Sequence, residues 1–105
     1  MKIKFKYGEY DNCSLRFAKH LNGNHAITIL DEYGHPLINV TKCVPNLIIE
    51  SNQLWVKDYS ENEGILDCLI EQEIITHTGH TTPADFDYLH LCELLVDPKN
   101  YVKGV

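Results

Sequence analysis

Apolar residues recur at helical spacing over a single stretch of this chain, Ile65, Leu66, Leu69, Ile70 and Ile74, while the segments on either side of it alternate apolar and polar residues. Recurrence at i, i+3 and i+4 draws one apolar stripe on a helix, whereas alternation makes a strand with one dry and one wet face. A chain of 105 residues has room for one domain and one hydrophobic core. The helix must therefore rest its stripe on the sheet that the alternating segments build.

Turn residues divide those segments. Lys2 to Tyr7 alternates strictly, with Ile3, Phe5 and Tyr7 on one face and three lysines on the other. Gly8 to Asn12 is polar and breaks the pattern, and Ser14 to His20 is a second strand with Leu15 and Phe17 facing inward. Asn22-Gly23-Asn24 predicts a hairpin through a type I′ turn, whose two central residues need positive φ. Ala26 to Leu30, a turn over Glu32 to Pro36, and Leu37 to Cys43 complete a meander. Leu47 to Gln53 is open between a loop and a short strand, and Leu54 to Lys57 is a short strand.

Ser60-Glu61-Asn62-Glu63 matches a capping box and predicts a helix from Glu61 to Glu73. Gly64 falls inside its first turns at a cost of about 1 kcal/mol relative to Ala, a reason to expect another backbone close by. Thr76 to Pro83 reads as a loop. Phe86 to Leu95 is a last strand with Phe86, Tyr88, His90, Cys92 and Leu94 on its core face, and residues 99–105 form a tail. The expected fold is α+β, a single domain over residues 1–98. It has a mainly antiparallel, curved sheet of about five or six strands, begun by the N-terminal meander, with one α-helix packed on one face. Ile65, Leu66, Leu69, Ile70 and Ile74 are expected to pack on Ile3, Phe5, Phe17 and Ile29.

Charge is distributed unevenly. Between Asp58 and Asp97 there are ten carboxylates and no Lys or Arg, whereas residues 1–57 carry seven basic and five acidic residues; the whole chain has net charge −6. A one-signed segment repels phosphate and attracts cationic surfaces. Nucleic acid is thus a poor direct ligand, since affinity for it comes from Lys and Arg on phosphates, and a basic protein surface is the natural partner. A solvated acidic face that keeps the protein soluble is the plainer alternative. Glu63, Asp67 and Glu71, at i, i+4 spacing, predict an acidic stripe opposite the apolar one. With Asp58, Glu61, Glu73, Asp85 and Asp87 they make up the expected partner-binding set.

Other chemistry is thinly represented. His77-Thr78-Gly79-His80 with Asp85 and Asp87 has the right ligand types but no metal-site spacing, and Cys13, Cys43, Cys68 and Cys92 contain no Cys-x-x-Cys pair. The cysteines read as reduced thiols, mostly buried. His90 and Cys92 are two residues apart on one strand face, core positions before they are a nucleophile and its base. No phosphate loop, nucleophile elbow or His-Glu-x-x-His is present, so no catalytic residue, cofactor or metal is expected. Apolar runs of a few residues fall far short of the roughly 20 that span a bilayer, and the N-terminus has no signal-peptide core. The expected location is a bacterial cytoplasm.

Lys57-Asp58-Tyr59-Ser60-Glu61-Asn62-Glu63-Gly64 resembles the signature of a family of small bacterial proteins, a domain of unknown function, encoded on plasmids, conjugative transposons and phages; the resemblance extends through Ile65 to Thr78-Gly79. It implies a protein of a mobile genetic element and carries no biochemical role of its own. Joined to the charge, it suggests a non-enzymatic inhibitor of host defence, of anti-CRISPR or anti-restriction type, occupying the basic nucleic-acid groove of a defence nuclease. An accessory interaction module of plasmid or conjugative-element biology is the alternative. A small metal-dependent enzyme built on His77, His80 and nearby carboxylates is a third.

Overall fold

A computed structural model describes residues 1–99. Of the expected tail, residues 100–105 lie outside the described part. The chain is α+β and predominantly antiparallel, and the eight strands among the described residues form three sheets rather than a single curved one.

Strand β1 (Ile3–Phe5) turns back at Lys6-Tyr7 and pairs with β2 (Gly8–Tyr10), Ile3 opposite Tyr10 and Phe5 opposite Gly8. The polar segment expected to break the first strand is therefore its partner. The Lys6 N–H leaves the sheet to donate to the Glu63 carbonyl at 2.9 Å, which ends β1 early and leaves Tyr7 exposed instead of inward.

Strands β3 (Ser14–Lys19), β4 (His25–Leu30) and β5 (Pro36–Asn39) form the expected meander. The β3–β4 connection is longer than a two-residue type I′ turn. Lys19 faces His25, His20 N donates to Asn24 O, and Gly23 alone takes positive φ. Strand β5 is shorter than expected because the chain then changes sheets. Val40 donates to the Ile27 carbonyl and accepts from Lys57 N, and Thr41 bridges Val56.

In the third sheet, β6 (Gln53–Lys57) and β7 (Ile75–Ala84) flank β8 (Asp87–Leu94). The expected loop over Thr76 to Pro83 is therefore a strand, interrupted by a bulge between His77 and Thr81 at which Gly79 takes φ 92°. Its β-branched threonines suit a pleated edge, and Pro83 is tolerated because an edge strand can lack one donor.

The helix is shorter than predicted. Ser60–Asn62 is a 3₁₀ turn, and α1 spans Ile65–Glu71. Glu63 N bonds to the Ser60 carbonyl and no side-chain cap forms there, so the capping box is not realised. Its place is taken by Asp58, whose Oδ1 accepts from Gly64 N at 3.1 Å and Leu66 N at 2.9 Å. The close approach expected at Gly64 is present: with φ 98°, a Cβ there would lie 3.1 Å from Lys6 N and 3.2 Å from the Phe5 Cα.

Ile65, Leu66, Leu69 and Ile74 share one core with Ile3 and Ile29, with Phe5, Phe17 and Ile70 packed at its margin, as the periodicity predicts. A second cluster lies on the outer face of the third sheet. Trp55, Tyr59, Leu89 and Leu91 are buried there against Val44 and Ile49 of the 42–52 segment. Strand β8 is thus covered on both faces. Cys92 is buried on the expected side, while Phe86 and Tyr88, expected on the core face, are exposed.

Candidate functional site

The eight carboxylates of the expected partner-binding set fall into three structural groups. Asp58 is consumed at the start of α1, as above. Glu61, Glu63 and Asp85 are ion-paired with lysines from outside the acidic segment: Lys57 Nζ lies 2.6 Å from Glu61, Lys6 Nζ 3.1 Å from Glu63 and Lys42 Nζ 3.6 Å from Asp85. Asp67, Glu71, Glu73 and Asp87 are exposed and have no ion pair among the described residues.

One-signed in sequence, the segment is therefore partly neutralised in space. Glu63, Asp67 and Glu71 do share one side of the structure, although Glu63 precedes α1 and is not part of it. They line a groove of about 860 Å³ whose opposite wall is β1, with Lys2, Lys4 and Lys6. The row of lysines that alternation places on the wet face of the first strand faces the acidic stripe.

Asp85 and Asp87 flank the tip of the β7–β8 hairpin. Between them Phe86 is fully exposed. The tip is held by the Tyr59 hydroxyl, which donates to Asp85 Oδ2 at 2.8 Å. Burial, then the hydrogen bond and charge of Asp85, push the Tyr59 phenol up to about 12, while the same bond and Lys42 hold Asp85 below the usual carboxylate range. Lys57 Nζ stands 5.0 Å over the Tyr59 ring as it grips Glu61. Glu63 lines both the α1 groove and a concavity of about 400 Å³ shared with Asp85, Phe86 and Asp87, so five of the expected residues form one track from Glu71 to the hairpin tip.

His77 and His90 are brought together by the β7 bulge, His77 Nε2 lying 2.9 Å from His90 Nδ1. Gly79 N–H, which can only donate, ends on His77 Nδ1 at 2.7 Å. The His77 proton must then be on Nε2, donating to His90 Nδ1, a directed chain that needs neutral His77. Burial, with the neighbouring His90 and His80 charges, lowers the His77 pKa. Among the described residues no group of three or more His, Cys, Asp or Glu could hold a metal ion. Burial pushes the Cys92 thiol up to about 12, which makes it a packing residue. Cys13 and Cys68 are also buried and Cys43 is exposed, all four being free thiols. No helix among the described residues is long and apolar enough to cross a membrane.

A further concavity was not indicated by the sequence. Phe5, Tyr7 and Tyr10 of the first hairpin stand beside Leu37 of β5 and Glu61 in a groove of about 670 Å³. Its aromatic wall exists because β1 and β2 pair, which brings Tyr10 onto Phe5 with ring centroids 6.1 Å apart. Comparison with protein-family models, curated proteins and solved structures finds no match to the chain.

Proposed function

We propose that this chain is a non-enzymatic binding protein that docks on a basic protein surface through the track running from Glu71 and Asp67, past Glu63, to Asp87 and Asp85. The observation that carries this reading is that Glu63 joins the α1 groove to the hairpin concavity, so acids from two elements form one strip. Phe86 at its end supplies what carboxylates lack, an exposed aromatic anchor of the kind that dominates binding energy when a pocket covers it. Surfaces that grip phosphate with Arg and Lys are natural acceptors for such a strip. With the mobile-element character implied by the resemblance at Lys57 to Gly64, the proposed role is inhibition of a host defence nuclease by occupying its nucleic-acid groove.

The test is retention of a partner from lysate of a defence-bearing bacterium by the wild-type chain and by a Phe86→Ala, Asp87→Asn variant. A nucleic-acid-binding protein retained by the wild type, released by excess nucleic acid and lost with the variant is the expected result. Retention that ignores both the variant and the competitor refutes the proposal.

A further inference from the structure

The groove between β2 and β5 has aromatic walls and acidic rims. It continues through Tyr10 and Leu37 into a second hollow of about 470 Å³ that holds Asp11, Glu32 and Tyr33, and neither lining includes a Lys, Arg or His. This distinguishes it from the α1 groove, where three lysines face the carboxylates. Some of its acids are already engaged. Glu9 is paired with Lys2, Glu61 with Lys57, and Asp31 Oδ1 accepts the Tyr33 and His35 amides. Asp11 and Glu32 are exposed and have no ion pair among the described residues, Glu32 taking a hydrogen bond from the neighbouring Tyr33 hydroxyl.

The rings offer faces for a cation. Lys6 Nζ lies 5.5 Å over the Tyr7 ring, so one tyrosine of the groove already carries an internal cation. Tyr10, 38% exposed, and Tyr33, 77% exposed, have none over them among the described residues. Aromatic faces beside carboxylates that have no ion pair suit guanidinium better than ammonium, because guanidinium stacks flat on a ring while its edge donates to a carboxylate.

We propose that this groove takes arginine side chains of a basic peptide segment, stacked on Tyr10 and Tyr33 with Asp11 and Glu32 as their counter-charges. The inference rests on the basic-partner reading above and says where that partner's arginines go. Ser60 lines both this groove and the hairpin concavity, so one partner can cover both.

The experiment titrates an Arg-Gly-Arg-Gly-Arg peptide, its lysine counterpart and its citrulline counterpart onto the full chain at low salt, following ring and amide resonances by NMR. Expected are saturable shifts at Tyr10 and Tyr33 and affinity in the order arginine, lysine, citrulline. Tyr33→Leu and Tyr10→Leu should each weaken arginine binding by about two- to fivefold. Tyr33 is the safer variant, since it stands on an exposed turn. Equal binding of the citrulline peptide, wild-type affinity in a folded Tyr33→Leu variant, or shifts confined to Asp67, Glu71 and Asp87 would overturn the proposal. The two readings separate cleanly. Tyrosine-dependent arginine binding supports the groove even where Phe86 and Asp87 variants leave partner retention unchanged, and tyrosine-independent binding sinks it even where those variants abolish retention.

Discussion

The amides of Gly64 and Leu66 both end on one oxygen of Asp58, so a single carboxylate satisfies two donors that the start of α1 would otherwise leave open. Asp58→Ala should therefore lower stability by about 1–2 kcal/mol, with Asp58→Asn in between because its carbonyl oxygen still accepts. Ser60→Ala should stay within about 0.5 kcal/mol, since the Ser60 hydroxyl caps nothing. Denaturant midpoints of the three variants decide this, and a Ser60 variant costlier than the Asp58 one would restore the capping box. The residues concerned were legible only in part. A glycine in a helical pattern announces a close backbone, and Gly64 has one. The choice between Asp58 and Ser60 was hidden, because it depends on a 3₁₀ turn and on Ser60 taking φ 53°, which no local pattern encodes.

At the level of elements, strong periodicity translated well and mixed composition did not. The apolar stripe from Ile65 to Ile74 and the meander strands are where their spacing puts them. Strand β7 was missed because Thr, Gly and Pro serve loops and edge strands alike, and only pairing with β8 selects between them. The His77–His90 chain was missed with it, being a product of the bulge. It has a consequence for pH. The His77 pKa is lowered on folding, so below the unfolded value near 6.5 the unfolded chain binds more protons than the native one, and stability rises with pH. The stabilisation of neutral His77 is complete above about pH 6.5 and is lost as pH falls toward the depressed native value. His20, lowered by burial beside Thr41, adds in the same sense. Unfolding midpoints should thus fall between pH 7.5 and 5.5. In His77→Asn, whose side-chain oxygen can accept from Gly79 without titrating, the slope should be shallower. An unchanged slope would mean that His77 takes a proton in the native state without penalty.

For the whole molecule, the question is how much field survives the pairing of distant charges. Lys6 meets Glu63 and Lys42 meets Asp85 although the sequence separates them widely, and these contacts were not legible because they depend on how the first hairpin and the 40–42 crossing sit against α1 and β7. Such exposed pairs add little stability, yet each removes a carboxylate from the surface available to a partner. Of the expected partner-binding set, those without an ion pair among the described residues are Asp67, Glu71, Glu73 and Asp87, and they set the prediction. Replacing Glu63, Asp67 and Glu71 by lysine would face Lys2, Lys4 and Lys6 with three more cations across one groove, so any loss of binding would be confounded by strain in the fold. Neutralising Asp67→Asn, Glu71→Gln and Asp87→Asn avoids this. At about 0.2–1 kcal/mol for each exposed pair, the triple variant should weaken a basic partner by about 3- to 150-fold, with Glu50→Gln, outside the track, as the control. Wild-type affinity should also fall steeply from about 0.01 M to about 0.15 M salt, as the screening length shrinks from about 30 Å to about 8 Å, and the triple variant should depend on salt less. A partner whose affinity is indifferent both to salt and to the three neutralisations would place its contact on exposed apolar side chains such as Phe86, and the acidic strip would then serve solubility alone.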